Sequence, residues 1–267
     1  MSAAARLAFF GLLVAMVALA AAALGRSVGP FERGSGDDEH RAAETSSGLP
    51  GLASFDKGYG LALGRLTMPA RVRMPFQFWI VDQDAEPVRS FDLVHERHMH
   101  LIVVRRDLKT FLHVHPTLGR GGLWSVPVRL GGGVHRVFAD FSVDGERVVL
   151  GADLFVEGPE TPFRWPKTDY LATRASVRGG SRAGEELSLF YSVTRDERPV
   201  RVEPYLGARG HLVILREGDL AYIHTHADSD RLVFETTFPS IGRYHLFLQY
   251  RAGGRVRTES STLLVKP

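Results

Sequence analysis

From about residue 73 onward the hydrophobic pattern is that of short strands. Runs such as RMPFQFWIV (73–81), HLIVV (100–104), TFLHVH (110–115), WSVPVRL (124–130), HRVFADFSV (135–143) and VVLGADLFV (148–156) are rich in valine and aromatic residues, alternate apolar with polar positions, and are separated by Gly, Asp or Pro. The second half has the same texture in ELSLFYSV (186–193), HLVIL (211–215), YIHTH (222–226), LVFETTF (232–238), YHLFLQY (244–250) and STLLV (261–265). Period-two alternation with breaks about every eight to twelve residues predicts an all-β chain of antiparallel β-sandwiches, and no window carries the period of an amphipathic helix.

Two segments depart from this pattern. Leu7 to Leu24 is uncharged and apolar between Arg6 and Arg26, so residues 1–26 are expected to be an export signal peptide or a transmembrane anchor, with Ala21-Ala22-Ala23 a possible cleavage site. Either way the protein is expected to be exported, anchored in the cell membrane or secreted after cleavage. Residues 27–51 are Gly, Ser, Pro and charge with few apolar side chains, a composition that predicts a flexible linker, with His40 a bystander in it.

The two strand-rich halves are copies of one another. HLIVVRRDLKTFLHVH (100–115) aligns without a gap with HLVILREGDLAYIHTH (211–226), an offset of 111 residues. FWIVDQDAEPVR (78–89) matches FYSVTRDERPVR (190–201), and GVHRVFADF (133–141) matches GRYHLFLQY (242–250), with small indels between. A repeat of domain length, with turn residues clustered in EGPETPFRWP (157–166), predicts two tandem immunoglobulin-like or cupredoxin-like sandwiches, residues 52–158 and 159–267.

Composition narrows the chemistry. The net charge is +3, and no Lys/Arg run is interleaved with aromatics, which argues against a nucleic-acid binder. There is no cysteine, so disulfides, thiolate nucleophiles and the His/Cys set of blue-copper carriers are excluded, and any metal must be held by nitrogen or oxygen. Of 11 histidines, His98, His100, His113 and His115 gather in the first repeat and His211, His224 and His226 in the second.

A four-residue hairpin loop over Arg105–Leu108 would pair residues whose numbers sum to about 213. His100 would then oppose His113 and His98 would oppose His115, all four on one face of the sheet. Met99 has the wrong parity to join them. In the second repeat the same register pairs His211 with His224 and sets Arg209 opposite His226, where a cation disfavours a bound ion, so the first site is expected to be the tighter. On the same faces lie Ile102, Val104 and Phe111, and Val213, Leu215 and Tyr222, so each histidine group caps an apolar stripe. His135 aligns with Tyr244 near a tyrosine-corner position and is read as core, His245 as a solvated-face residue, and His95 as a possible further ligand.

All-imidazole ligation suits Cu(II) first and Zn(II) second. The export segment, the sandwich and the string HERHMHLIVVRRDLKTFLHVHP (95–116) together resemble bacterial secreted or membrane-anchored proteins with a heavy-metal-associated β-sandwich. In plan they are similar to periplasmic copper-resistance proteins. The resemblance implies copper handling in the cell envelope, with His98, His100, His113 and His115 as ligands and another envelope metal-trafficking protein as partner. Two other readings stand beside it. A tandem adhesion or scaffold module would bind no metal. A copper/zinc superoxide-dismutase-like enzyme would need a bridging histidine and a second-metal aspartate that have no recognisable counterpart, so a non-enzymatic role is expected.

Overall fold

The computed structural model describes residues 49–160, 171–178, 180–227 and 231–267. The expected signal or anchor (1–26) and most of the expected linker (27–51) lie outside the described residues. Among the described residues no helix is long and apolar enough to cross a membrane.

The first repeat folds as β1 (Phe55–Asp56), β2 (Tyr59–Leu63), β3 (Thr67–Pro69), β4 (Met74–Val81), β5 (His100–Arg105), β6 (Phe111–Val114), β7 (Thr117–Leu118), β8 (Trp124–Val128), β9 (Gly133–Val143) and β10 (Glu146–Glu157). The second comprises β11 (Ala172–Arg178), β12 (Glu186–Arg195), β13 (Arg198–Pro199), β14 (Gly210–Arg216), β15 (Tyr222–His226), β16 (Leu232–Thr237), β17 (Gly242–Ala252) and β18 (Arg255–Val265). Each is a sandwich of two sheets. In the first, β1-β2-β4-β8-β7 faces β3-β10-β9-β5-β6; in the second, a sheet of β11, β12, β13 and β16 faces β15-β14-β17-β18. The expected all-β tandem sandwich is therefore the fold. Pairing is antiparallel except at one edge of each repeat, where β3 runs parallel to β10 and Arg182 bridges Lys266 in parallel.

Alternation builds each core. Phe76, Phe78 and Ile80 of β4 and Trp124 of β8 meet Leu101 and Val103 of β5 and Val137 and Ala139 of β9. Leu187 and Leu189 of β12 and Phe234 of β16 meet Leu212 and Ile214 of β14 and Leu246 and Leu248 of β17. At the aligned position of the second repeat Tyr244 makes the expected corner, its hydroxyl donating to the Ser240 carbonyl at 3.0 Å.

β5 is buried along both faces. Leu101 and Val103 point into their own sandwich, while His100, Ile102 and Val104 point out of it, and what covers them is the other repeat. Ile102, Val104, Leu108, Phe138 and Val149 pack against Val213, Leu215, Leu220, Tyr222 and Phe247 in a third apolar core between the sandwiches. Phe111 stacks on Phe247 (centroids 4.4 Å apart) and Phe138 on Tyr222 (5.0 Å). In the repeat alignment Phe111 corresponds to Tyr222 and Phe138 to Phe247, so the two stacks are one contact made twice about an approximate two-fold axis.

The last residues of the expected linker belong to this junction. Gly51 N donates to the Val149 carbonyl at 3.1 Å, and Tyr222 N donates to the Pro50 carbonyl at 3.1 Å, so Pro50–Gly51 bonds to both sandwiches. Gly51 takes φ +77°, and a Cβ there would lie 2.7 Å from the Phe138 ring.

Candidate metal centre

The hairpins that carry the histidines turn one residue later than the loop-length argument expects. Arg105 N pairs with the Thr110 carbonyl at 3.3 Å, leaving Arg106–Lys109 as the loop. The Asp107 carboxylate holds that turn by accepting from Arg105 Nε at 2.9 Å and from Lys109 N at 3.1 Å, with Leu108 at φ 61°. The second repeat has the same device, in which Asp219 binds the Arg216 guanidinium and accepts from Ala221 N at 3.2 Å.

The register is therefore shifted by two. Ile102 pairs with His113, Val213 with His224, and His211 with His226. A shift of two preserves the face of every side chain but changes the partners. His98 drops off the end of β5: its side chain is exposed, with Nδ1 3.1 Å from the Asp92 carbonyl, apart from the group it was expected to join. Arg209 no longer opposes His226; its Nη1 donates to the Val202 carbonyl at 3.1 Å, which removes the ground for a weaker second site.

Two histidine triads result. One nitrogen from each of His100, His113 and His115 lies within 4.8 Å of the others, and the same holds for His211, His224 and His226. Because both sets face the inter-repeat core, they meet: His224 lies 5.4 Å, centroid to centroid, from both His100 and His113, and His113 lies 6.0 Å from His211. His95, in a tight turn at φ 47°, stacks on His226 at 3.5 Å, so the possible further ligand sits against the second triad rather than its own. His135 is buried with Nδ1 3.1 Å from the Gly133 carbonyl and takes no part. His245 is half-buried on β17.

Four of the six rings are held from behind, and the holders follow the same two-fold plan. His100 Nε2 faces the Val94 carbonyl at 3.2 Å, and His211 Nε2 faces the Tyr205 carbonyl at 2.9 Å; Val94 and Tyr205 open equivalent tight turns. A carbonyl can only accept, so each ring carries its proton on Nε2 and turns a lone pair on Nδ1 towards the centre. The other two holders cross between repeats. His224 Nδ1 donates to Asp140 Oδ2 of the first repeat at 2.9 Å, and His113 Nδ1 lies 2.8 Å from Gln249 Oε1 of the second. Asp140 and Gln249 are aligned positions on β9 and β17. Gln249 Nε2 donates to Thr258 Oγ1 at 3.0 Å, and its Oε1 faces His113.

Asp140 is 4 % exposed and accepts from the Tyr222 hydroxyl at 3.0 Å and from Arg147 Nη2 and Nε at 2.7 and 2.9 Å, besides His224. Burial pushes its carboxyl up, but the Arg147 charge and the hydrogen bonds from His224 and Arg147 outweigh it and hold it well below the usual range. The imidazoles are driven towards neutrality. Burial, with the nearby imidazoles adding to it, lowers His100 to about 4 and His115 to about 3. Burial also brings His211 to about 3 against the opposing Tyr205 carbonyl, and holds His113, His224 and His226 below the ordinary value. Neutral imidazole is the form that binds metal. His115 Nε2, His211 Nδ1, His224 Nε2 and His226 Nε2 are buried and have no hydrogen-bond partner. A cavity of about 270 Å³ lined by His95, His98, His100, His224 and His226 reaches the centre from the side of exposed His98.

Asp140, Gln249 and Arg147 went unremarked in the sequence. For Asp140 and Gln249 the available signal was a polar residue at the same aligned position, one before the last aromatic of HRVFADF and YHLFLQY; Arg147 had none.

The family model for a domain of unknown function, DUF8832, matches residues 53–158 and again 168–267. The chain belongs to this family. Its two DUF8832 copies each carry one triad and meet at the histidine centre. No curated protein matches the chain. Among solved structures it is similar to a tetra-tandem repeat from the extending region of a large adhesion protein, at 12% identity and TM-score 0.26 over 78% of this chain and 49% of that one. It is similar also to Escherichia coli alpha-2-macroglobulin (14%, TM-score 0.26, 82% of this chain and 15% of that one) and to a two-domain fibronectin type III segment of chicken tenascin (11%, TM-score 0.23, 76% and 97%). The chain thus spans about half the length of the adhesion-protein structure and a smaller part of the macroglobulin.

Proposed function

We propose that the protein is a metal-binding protein whose centre lies between its two DUF8832 copies, with Cu(II) the preferred ion, Zn(II) the second, and a role in envelope metal handling. The observation that carries this reading is the contact between His100 Nδ1 and His113 Nε2, 3.1 Å apart. With Gln249 Oε1 turned to His113 and the Val94 carbonyl to His100, the other nitrogen of each ring carries the proton and both facing atoms are lone-pair acceptors, which a shared cation satisfies. A proton is a poor candidate, because burial disfavours charge on both rings. A metal ion suits it: at bonds of about 2.0–2.1 Å, ligand nitrogens in a tetrahedral set lie about 3.4 Å apart. The backbone, amide and carboxylate groups behind the rings are the kind that orient metal-binding histidines.

The centre is built of imidazole ligands, and residues 7–24 read from the sequence as an export segment, which together support envelope metal binding. The test is equilibrium dialysis of the full chain against Cu(II) and Zn(II), beside a variant carrying His113→Ala, His115→Ala, His224→Ala and His226→Ala. Tight uptake lost in the folded variant supports the proposal. Absence of uptake by the natural chain, or equal uptake by both, overturns it and leaves a tandem sandwich module.

A further inference from the structure

Resting on that reading, we infer that the centre is dinuclear: one ion in each triad, the two bridged by a small exogenous anion such as hydroxide. The donors group by repeat. Each triad brings three nitrogens within 4.8 Å without help from the other, and the two sets of three are the close groups among the described residues. Each also has its own two tautomer-fixing partners, Val94 and Gln249 for the first and Tyr205 and Asp140 for the second. Six imidazoles exceed what one Cu(II) or Zn(II) in a histidine site takes, whereas three per ion leave an open position on each.

The two-fold relation turns those open positions towards each other. His224 lies 5.4 Å, centroid to centroid, from both His100 and His113, against 6.0 Å from His211 of its own triad, so the triads abut, and ions about 3.5–4 Å apart would share one ligand. Charge calls for that ligand. Two divalent ions on neutral imidazoles would put four positive charges in a buried junction, and the carboxylate against it, Asp140, is already paired with Arg147. A small anion entering by the His98 cavity would reduce the excess and occupy both open positions.

The experiment is a titration of the full chain with Cu(II) alone, read as bound copper per chain and by electron paramagnetic resonance. His115→Ala and His226→Ala are run beside it, since neither ring nitrogen named above as unpartnered holds a fold contact. The expected result is two equivalents for the natural chain and one for each variant. As the second equivalent binds, the signal intensity per copper falls or a half-field transition appears. One equivalent in the natural chain would overturn the dinuclear centre while leaving metal binding intact, and no uptake would overturn both. Two equivalents with isolated-ion spectra of full intensity would place the second ion elsewhere and also overturn it. The natural chain's stoichiometry and spectrum together decide the matter even where a variant fails to fold.

Discussion

At the scale of single residues, the two triads use equivalent histidines but differ in what stands behind one ring, besides the His100–His113 contact of the first and the His95 stack on the second. His224 is backed by a carboxylate and His113 by an amide. A carboxylate partner raises the basicity of the imidazole more than a neutral one, so the second triad is expected to fill first. That order is the reverse of the expectation from Arg209, whose guanidinium lies elsewhere. Asp140→Asn should weaken Cu(II) binding at the second triad about 10- to 100-fold and bring the two affinities together, measured by competition with a chelator. Arg147, with its side chain 49% exposed, can turn to solvent when the carboxylate charge is removed. Titration follows from the same surroundings. His100, His115 and His211 have folded values of about 4, 3 and 3, below the ordinary 6.5 of the unfolded chain. Between those values the unfolded state holds more protons, so stability of the metal-free protein rises with pH across the window and is lost as pH falls from about 6.5 towards 4. Each such histidine contributes up to about 1.4 kcal/mol per pH unit. Urea midpoints at pH 7.5 and 5.5 measure it, and equal midpoints would contradict the buried neutral rings. Much at this scale was legible: parity alone put His100, His113 and His115 on one face. The two-residue shift was not, because loop length alone does not choose between adjacent turn placements, and the Asp107 hydrogen bonds to Arg105 and Lys109 that do choose are a local side-chain effect outside the hydrophobic pattern.

At the scale of elements, the strands were readable because valine and aromatic alternation matches the pleat. What alternation could not say is which neighbour covers an outward face. HLIVV and HLVIL are apolar at nearly every position, the mark of a strand buried on both sides, and the residues beside the histidines make that second burial. The stripe that suggested histidines packed into an ordinary core is the seam between two domains. The Leu49–Gly51 segment shows the opposite error: its composition reads as linker, yet backbone hydrogen bonds and one glycine fasten it in the seam. Gly51→Ala should cost about 2–4 kcal/mol, combining left-handed strain with collision against Phe138. Gly58→Ala is the control, since Gly58 takes φ +79° with nothing within 4 Å of an added Cβ, so only the conformational cost of about 1–2 kcal/mol remains. Equal losses in the two variants, read as denaturant midpoints, would show that the seam yields to the extra methyl.

At the scale of the molecule, the crossed holders tie the site to domain docking. His113 in the first sandwich is oriented by Gln249 in the second, and His224 in the second by Asp140 in the first, so neither triad is fully arranged unless the sandwiches are together. An ion that binds the docked, folded chain and not the unfolded one stabilises it by mass action, about 2.7 kcal/mol at a free concentration one hundred times its dissociation constant. For a folded region of this size that corresponds to a rise in Tm of about 5–10 °C. Thermal melts of the full chain with Cu(II), with Zn(II) and with EDTA measure it. Phe247→Ala provides the sharper comparison. Phe247 is fully buried in the seam and stacked on Phe111, and its truncation should cost about 3–5 kcal/mol. If docking and chelation are coupled, this variant binds Cu(II) at least several-fold more weakly although all six imidazoles remain, because loosened docking withdraws Gln249 from His113 and Asp140 from His224. Unchanged affinity in a destabilised Phe247→Ala protein would mean that each triad holds its geometry within its own sandwich, and that the crossed hydrogen bonds decorate the site without arranging it.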